Sequence, residues 1–325
     1  WYWLATNAAS VWGFDALAAA LADFGHPEAP RLLSDAKAYH DDVMRGFAEA
    51  SIRTPVVRLR NGNYVPKIPS RLYERGRCHG WLRETLEGPI FLNFYRLIEP
   101  NSPQAKWVLQ DYEDNLYISE RYGYEIPSFD AFWFSRGGFS MQANLLDGPP
   151  PYLYRDEIQH YVRAFFNGFA SAFYPEIRMC NEHSLPELGY PAGDHFKSSD
   201  EAQVTYWLRL MFIWEDGETL HLGRAIPRYW LAQPQPIGIE RAASSFGRLS
   251  WTMTADPAKD TITAHVTPPT RNRPKTIHVR VRHPNRKPIQ SATVNGEAWD
   301  RFDVEKEWVT LSGNVNGEQT IVVRY

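Results

Sequence analysis

Pro227-Arg228-Tyr229-Trp230-Leu231-Ala232-Gln233-Pro234-Gln235-Pro236 divides the chain by the period of its apolar residues. Before this stretch they recur every three or four positions, as on one face of a helix. After it they alternate, as on one face of a strand. Ile262-Ala264-Val266, Ile277-Val279-Val281, Val309-Leu311 and Ile321-Val323 are two-residue repeats, separated by turn pairs such as Asn295-Gly296 and Asn316-Gly317. Seven or eight short strands in about 90 residues predict an antiparallel β-sandwich. The expectation is an α+β multidomain chain: helices over 1–232, a sandwich over 233–325, and Gln233-Pro234-Gln235-Pro236 as the linker.

Upstream, the helices come in pairs. Phe14, Leu17, Leu21 and Phe24 form one stripe, Gly25-His26-Pro27 supplies a stop and a restart, and Leu32, Ala36, Tyr39, Val43, Phe47 and Ala50 form the next. A second hairpin is predicted from Leu82, Leu86, Ile90, Phe94 and Leu97, with Pro89 as a kink, and from Leu109, Tyr112 and Leu116 behind a Ser102-Pro103 cap. A third pairs a short segment near Phe139–Leu146 with a long one carrying Ile158, Tyr161, Phe165, Phe169 and Ala172. Ser198-Ser199-Asp200-Glu201 reads as a capping box opening a helix through Val204, Leu208 and Met211. No fixed period relates the pairs, which favours a toroid of hairpins over a regular solenoid. Residues 51–78 are expected to hold a β-hairpin turning at Asn61-Gly62, with seven Arg/Lys against one Glu; residues 174–197 read as a long patternless loop.

Length and composition set the outer bounds. The 325 residues are 43% hydrophobic and 22% charged, enough for about two folded domains and incompatible with a disordered or fibrous chain. A net charge of −3 excludes a dedicated nucleic-acid or membrane-surface protein. That total conceals −7 over 1–232 (22 basic, 29 acidic) and +4 over 233–325 (13 basic, 9 acidic). No apolar run reaches the roughly 18 residues a spanning helix needs, so a soluble protein is expected. The two cysteines, Cys78 and Cys180, make no disulfide framework and read as free thiols. The first residue is Trp1, leading directly into a helical pattern, so an upstream segment is expected and a secreted or periplasmic location stays open.

Met179-Cys180-Asn181-Glu182-His183-Ser184-Leu185-Pro186-Glu187 is the most informative segment for chemistry. It sets two carboxylates and a histidine on what reads as a loop, and glycosidic hydrolysis needs one carboxylic acid and one carboxylate. Asp130 and Glu84 are the further candidate carboxylates. Around them His79, Trp81, Trp133 and Arg136 suit a sugar, whose CH patches stack on aromatic faces and whose hydroxyls bond charged partners. Glu201 is assigned to the cap and Glu215-Asp216-Gly217 to a helix end. A zinc set of Cys180, His183, Cys78 and His79 lacks a second spaced cysteine pair, so no metal and no cofactor are expected. Phosphate-cradling glycine loops, nucleophile elbows and His-Glu-x-x-His are absent from the sequence.

Helical hairpins followed by a small sandwich resemble the six-hairpin, (α/α)6-barrel glycoside hydrolases, and the order of features is most similar to α-L-rhamnosidase-type enzymes. Asn181-Glu182-His183 occupies the place of that family's base segment, without its flanking tryptophans. Asp194-His195-Phe196 stands where the family has Asn-His-Tyr, with Trp207-Leu208 downstream, and Ala243 to Trp251 and Val294-Asn295-Gly296 resemble its sandwich. The resemblance implies Glu182 as general base and His195 as a substrate contact; His183, beside Glu182, is a further candidate substrate contact. It covers only the later part of a barrel, so the partners it implies are an oligo- or polysaccharide substrate and a missing N-terminal barrel segment or partner chain. The leading expectation is an inverting glycosidase with Glu182 as base and the acid supplied from upstream, or by Asp130 or Glu84. The alternatives are a polysaccharide lyase acting on a uronic-acid polymer, kept in view by the Arg-rich stretch at 51–78, and a non-catalytic carbohydrate-binding protein.

Overall fold

The structure is a computed structural model that describes residues 3–59, 61–71, 88–116, 149–174, 178–183, 192–195 and 197–325. The chain is a mixed α+β protein of two compact units, Trp1–Val204 and Thr205–Tyr325. Among the described residues there are seven α-helices. None of them is long and apolar enough to cross a membrane.

In the first unit, α1 (Leu4–Asp23) and α2 (Ala29–Ile52) form the expected hairpin. Gly25 sits at φ +66° just past α1. The amides of Gly25 and His26 donate back to the carbonyls of Ala22 and Leu21 at 2.9 Å, closing the helix end as a left-handed glycine does. Across the pair, Tyr39 donates its hydroxyl to Asn7 Oδ1 at 2.8 Å. Strands β1 (Val56–Arg58) and β2 (Tyr64–Pro66) make the predicted small hairpin, with Val57 opposite Val65.

Only a short helix, α3 (Ile90–Phe94), follows Pro89. Leu82 and Leu86, the earlier half of that predicted helix, lie outside the described residues, as does the segment Phe139–Leu146. Helix α4 (Pro103–Leu116) is capped as its sequence signals, the Ala105 amide donating to Ser102 Oγ at 3.2 Å. Helix α5 (Pro149–Tyr154) opens on three consecutive prolines, Pro149, Pro150 and Pro151. The first-turn amides of a helix have no intrahelical acceptor, so prolines are tolerated there. Helix α6 (Ile158–Ala172) carries Phe165 and Phe169 stacked at 5.8 Å between ring centres, and Phe169 meets Phe173 at 4.5 Å.

The stretch 174–197, expected to be patternless, contains three strands. β3 (Phe173–Tyr174), β4 (Met179–His183) and β5 (Ala192–His195) form one sheet in that order. Helix α7 (Ser198–Phe212) follows. The division between the compact units falls inside α7, after Val204, upstream of the 232/233 position suggested by the change of period.

The reason lies in β6 (Ile213–Asp216) and β7 (Thr219–Leu222), a strand pair where a helix end was expected. They belong to a sheet with strands from beyond the linker: β8 (Ile237–Ala242), β9 (Leu249–Asp256), β10 (Thr261–Thr267), β11 (Thr276–Arg280), β12 (Ser291–Val294), β13 (Glu297–Trp299), β14 (Phe302–Asp303), β15 (Trp308–Ser312) and β16 (Gln319–Arg324) complete the unit. One sheet runs β13-β12-β16-β10-β9-β8 and the other β14-β15-β11-β7-β6. Pairing is antiparallel except for β7 beside β11, which is parallel with Leu220 opposite Ile277. That exception follows from topology, because β7 enters from a distant part of the chain and not through a tight turn.

The core between the sheets comes from the alternation seen in the sequence. Ile262, Ala264, Val266, Ile277, Val279, Val309, Leu311, Ile321 and Val323 are all fully buried. Each buried Val, Leu or Ile contributes roughly 1.5–3 kcal/mol, so this set is the main stabilising term of the unit. Trp251 of β9 donates its indole N–H to the carbonyl of Phe212, the last residue of α7, at 3.1 Å, and the hydroxyl of Tyr325, just past β16, donates to the carbonyl of Val281, just past β11, at 2.6 Å.

Gly313, just after β15, is held against the chain entering β11. A Cβ built there falls 1.5 Å from the Pro274 carbonyl oxygen, and both neighbours are backbone that cannot rotate aside. Gly313→Ala is therefore expected to destabilise the protein by at least about 2 kcal/mol. A thermal melt should show the drop, and an unchanged midpoint would contradict this packing.

Candidate functional site

The segment Met179–His183 is strand β4, flanked by β3 on one side and β5 on the other. Its pairing with β3 is short: Phe173 faces Cys180 and Tyr174 faces Met179. Arg178, with a positive φ of 57°, makes the reversal into β4. On the other side Asn181 faces His195 and His183 faces Ala192, with a register shift between the two pairs. One residue of β4, Glu182, is thereby set against two of β5, Gly193 and Asp194, the signature of a bulge, which bends the strand.

This ladder brings together the two short motifs singled out in the sequence. Asn181-Glu182-His183 and Asp194-His195 run alongside each other as neighbouring strands, with the backbones of Asn181 and His195 directly opposed. For Glu182, His183 and His195 the backbone is placed; their side chains lie outside what the structure describes. Glu84, Asp130, His79, Trp81, Trp133 and Arg136 all lie outside the described residues.

Behind β4 stands an acidic pair that the sequence reading assigned to a helix cap. The Glu201 carboxylate accepts the backbone N–H of Cys180 at 3.4 Å, so Glu201 ties α7 to β4. Asp200 is fully buried beside it, and Ser199 donates its hydroxyl to Asp200 Oδ2 at 3.1 Å. The Lys197 amide donates to the Cys180 carbonyl at 3.4 Å, completing a backbone connection between the start of α7 and the strand. Ser-Ser-Asp-Glu matches the spacing of a capping box, and nothing in that local pattern reveals that its Glu is drawn to a strand amide. Buried polar residues of this kind hold the strand they contact in one position.

Cys180, on β4 next to Asn181, is a free buried thiol. Burial pushes its pKa up to about 12, and the Asp200 and Glu201 carboxylates add to the rise. A thiol in that environment stays protonated at neutral pH. Among the described residues, no group of three or more His, Cys, Asp or Glu side chains comes close enough to hold a metal ion.

Pushing a thiol pKa from its usual range to about 12 cuts its thiolate fraction at pH 8 on the order of a thousandfold. Native protein exposed to iodoacetamide at pH 8 should leave the Cys180 peptide unmodified, and denatured protein should be labelled within minutes. Rapid labelling of Cys180 in the native state, read by peptide mass mapping, would contradict the burial of Cys180.

No family model matches the sequence, and no curated protein matches it. Among solved structures, one described as "Glycoside hydrolase" is similar over 55% of this chain and 32% of its own, with a TM-score of 0.30 and 9% sequence identity.

Proposed function

We propose that the protein is a glycosidase in which Glu182 is the general base, with helices α1 to α7 forming an arc of an (α/α)6 toroid. The observation that carries this reading is the pairing of β4 with β5, which sets Asn181-Glu182-His183 beside Asp194-His195. A hydrolytic site needs a carboxylate and hydroxyl-binding groups in one place, and these residue types suit both roles.

In an inverting reaction Glu182 takes a proton from water as the water oxygen bonds to the anomeric carbon. The C–O bond to the leaving group breaks, and a second carboxyl on the opposite side of the ring gives its proton to the departing oxygen. Asp130 and Glu84 are the candidates for that acid within this sequence. His183 and His195 are assigned to sugar hydroxyls, as are His79 and Arg136, while Trp81 and Trp133 supply stacking faces.

The arc is favoured by the outer side of α1. Leu17 and Phe24, the latter just past the end of α1, fall on one side of it and are 55% and 87% exposed. The only charged residues of the helix are Asp15 and Asp23. Apolar surface gathered this way marks an interaction site, and further helices, from elsewhere in the protein or from a partner chain, are proposed to cover it.

Glu182→Gln is expected to lower kcat by 10²–10⁴-fold, about the usual contribution of a general base, with KM little changed. His195→Ala should instead raise KM. The measurement is hydrolysis of a panel of aryl glycosides, α-L-rhamnoside included, with circular dichroism confirming that each variant is folded. Full activity in Glu182→Gln would sink the assignment. An unsaturated, ultraviolet-absorbing product would replace the hydrolase with a lyase.

A further inference from the structure

Four asparagines, Asn61, Asn167, Asn295 and Asn316, are each followed by glycine. With no side chain on the second residue, its main-chain nitrogen can approach the side-chain carbonyl carbon of the asparagine before it. The fold treats the pairs differently. Asn167-Gly168 lies inside α6, where backbone amides are committed to the helix ladder. The Gly62 amide donates to the Leu59 carbonyl at 2.9 Å. Asn295 is fixed at both ends of its side chain: Nδ2 donates to Gln319 Oε1 at 3.0 Å, and Oδ1 accepts the Thr320 amide at 2.9 Å.

Asn316-Gly317, in the connection between β15 and β16, has none of these restraints. Both residues are exposed. Among the described residues the Gly317 N–H meets no acceptor, and a Cβ built on Gly317 would find nothing within 4 Å, so water reaches the peptide. One terminal nitrogen of the Arg273 guanidinium lies 2.6 Å from Asn316 Oδ1. A guanidinium only donates, so the atom facing it is the oxygen, and Nδ2 is the end left open to solvent. The other terminal nitrogen of Arg273 donates to the carbonyls of Asn314 at 2.9 Å and Val315 at 3.3 Å, which holds the guanidinium in place.

We propose that Asn316 is a self-modification site, converted through attack by the Gly317 nitrogen into aspartate and isoaspartate. The Gly317 nitrogen gives its proton to hydroxide and bonds to Asn316 Cγ. The negative charge that develops on Oδ1 faces Arg273, a donor already placed to stabilise such an oxyanion. The Cγ–Nδ2 bond then breaks, Nδ2 takes a proton from water and leaves as ammonia, and a cyclic imide remains. Water opens the imide at either carbonyl: at Cγ the product is aspartate, and at the main-chain carbonyl it is isoaspartate. The aspartate product sets a carboxylate against Arg273, a charge-assisted pair in place of a neutral acceptor.

The test is incubation of the whole native protein at mildly alkaline pH, with urea-denatured protein alongside. Peptide mapping follows the amide-to-acid mass change at each pair, and an isoaspartate-specific methyltransferase identifies the product. In the denatured chain all the pairs should convert at similar rates. In native protein Asn316 should convert at least about tenfold faster than Asn61, Asn167 or Asn295, which must first break the hydrogen bonds that hold them. Arg273→Gln should slow the reaction at Asn316 about tenfold, the loss expected when one oxyanion donor is weakened at an exposed site. The proposal is overturned if Asn316 stays an amide in native protein while the denatured chain converts there, if another pair keeps pace with it, or if Arg273→Gln converts as fast as wild type. The comparison of native with denatured protein stands whether or not Arg273→Gln folds.

Discussion

Every buried backbone amide and carbonyl needs a partner, and along β3, β4 and β5 that requirement is met by strands pairing with one another. The link from α6 into β3, the turn at Arg178 and the β4–β5 ladder form one short sheet. It is fastened from behind where Glu201 and the Lys197 amide reach the two backbone polar groups of Cys180. Without this sheet Asn181-Glu182-His183 would be a mobile connection between helices. With it, the segment has a fixed neighbour, Asp194-His195, and a fixed supporting helix.

The same principle explains the sandwich unit. Its two sheets bury alternating apolar residues against each other, and Gly313 lets the β15 end pass against Pro274. The β6–β7 pair is drafted into the second sheet from the far side of the linker, because Leu220 and Leu222 need the same cover as Ile277 and Val279. The compact unit therefore begins within α7 and not at Gln233. Hydrophobic burial, and not the position of the prolines, sets that boundary.

Features governed by neighbours in sequence were legible. The Gly25 helix stop, the Ser102 cap, the Asn61-Gly62 hairpin and the alternating strands after Ile237 are local patterns with local causes. What escaped depends on contacts distant in sequence. Met-Cys-Asn-Glu-His shows neither alternation nor β-branched residues, and becomes a strand because β3 and β5 offer it hydrogen bonds. Ile213-Trp214-Glu215-Asp216 follows α7 with no breaker between them, so its change from helix to strand has no local signal. Glu201 likewise sits at cap spacing yet serves a strand amide. For the candidate site, the two motifs were visible in the sequence, but their juxtaposition came only from strand register.

The central claim is that position 182 lies beside a bound saccharide, within a cleft shared with His195. A crystal structure of the protein with an unreactive saccharide analogue tests it most directly. The account predicts a Glu182 carboxylate oxygen and a His195 ring nitrogen within about 3 Å of the sugar or of a water poised at its anomeric carbon. A saccharide bound elsewhere, with the Glu182 carboxylate facing open solvent, would contradict it.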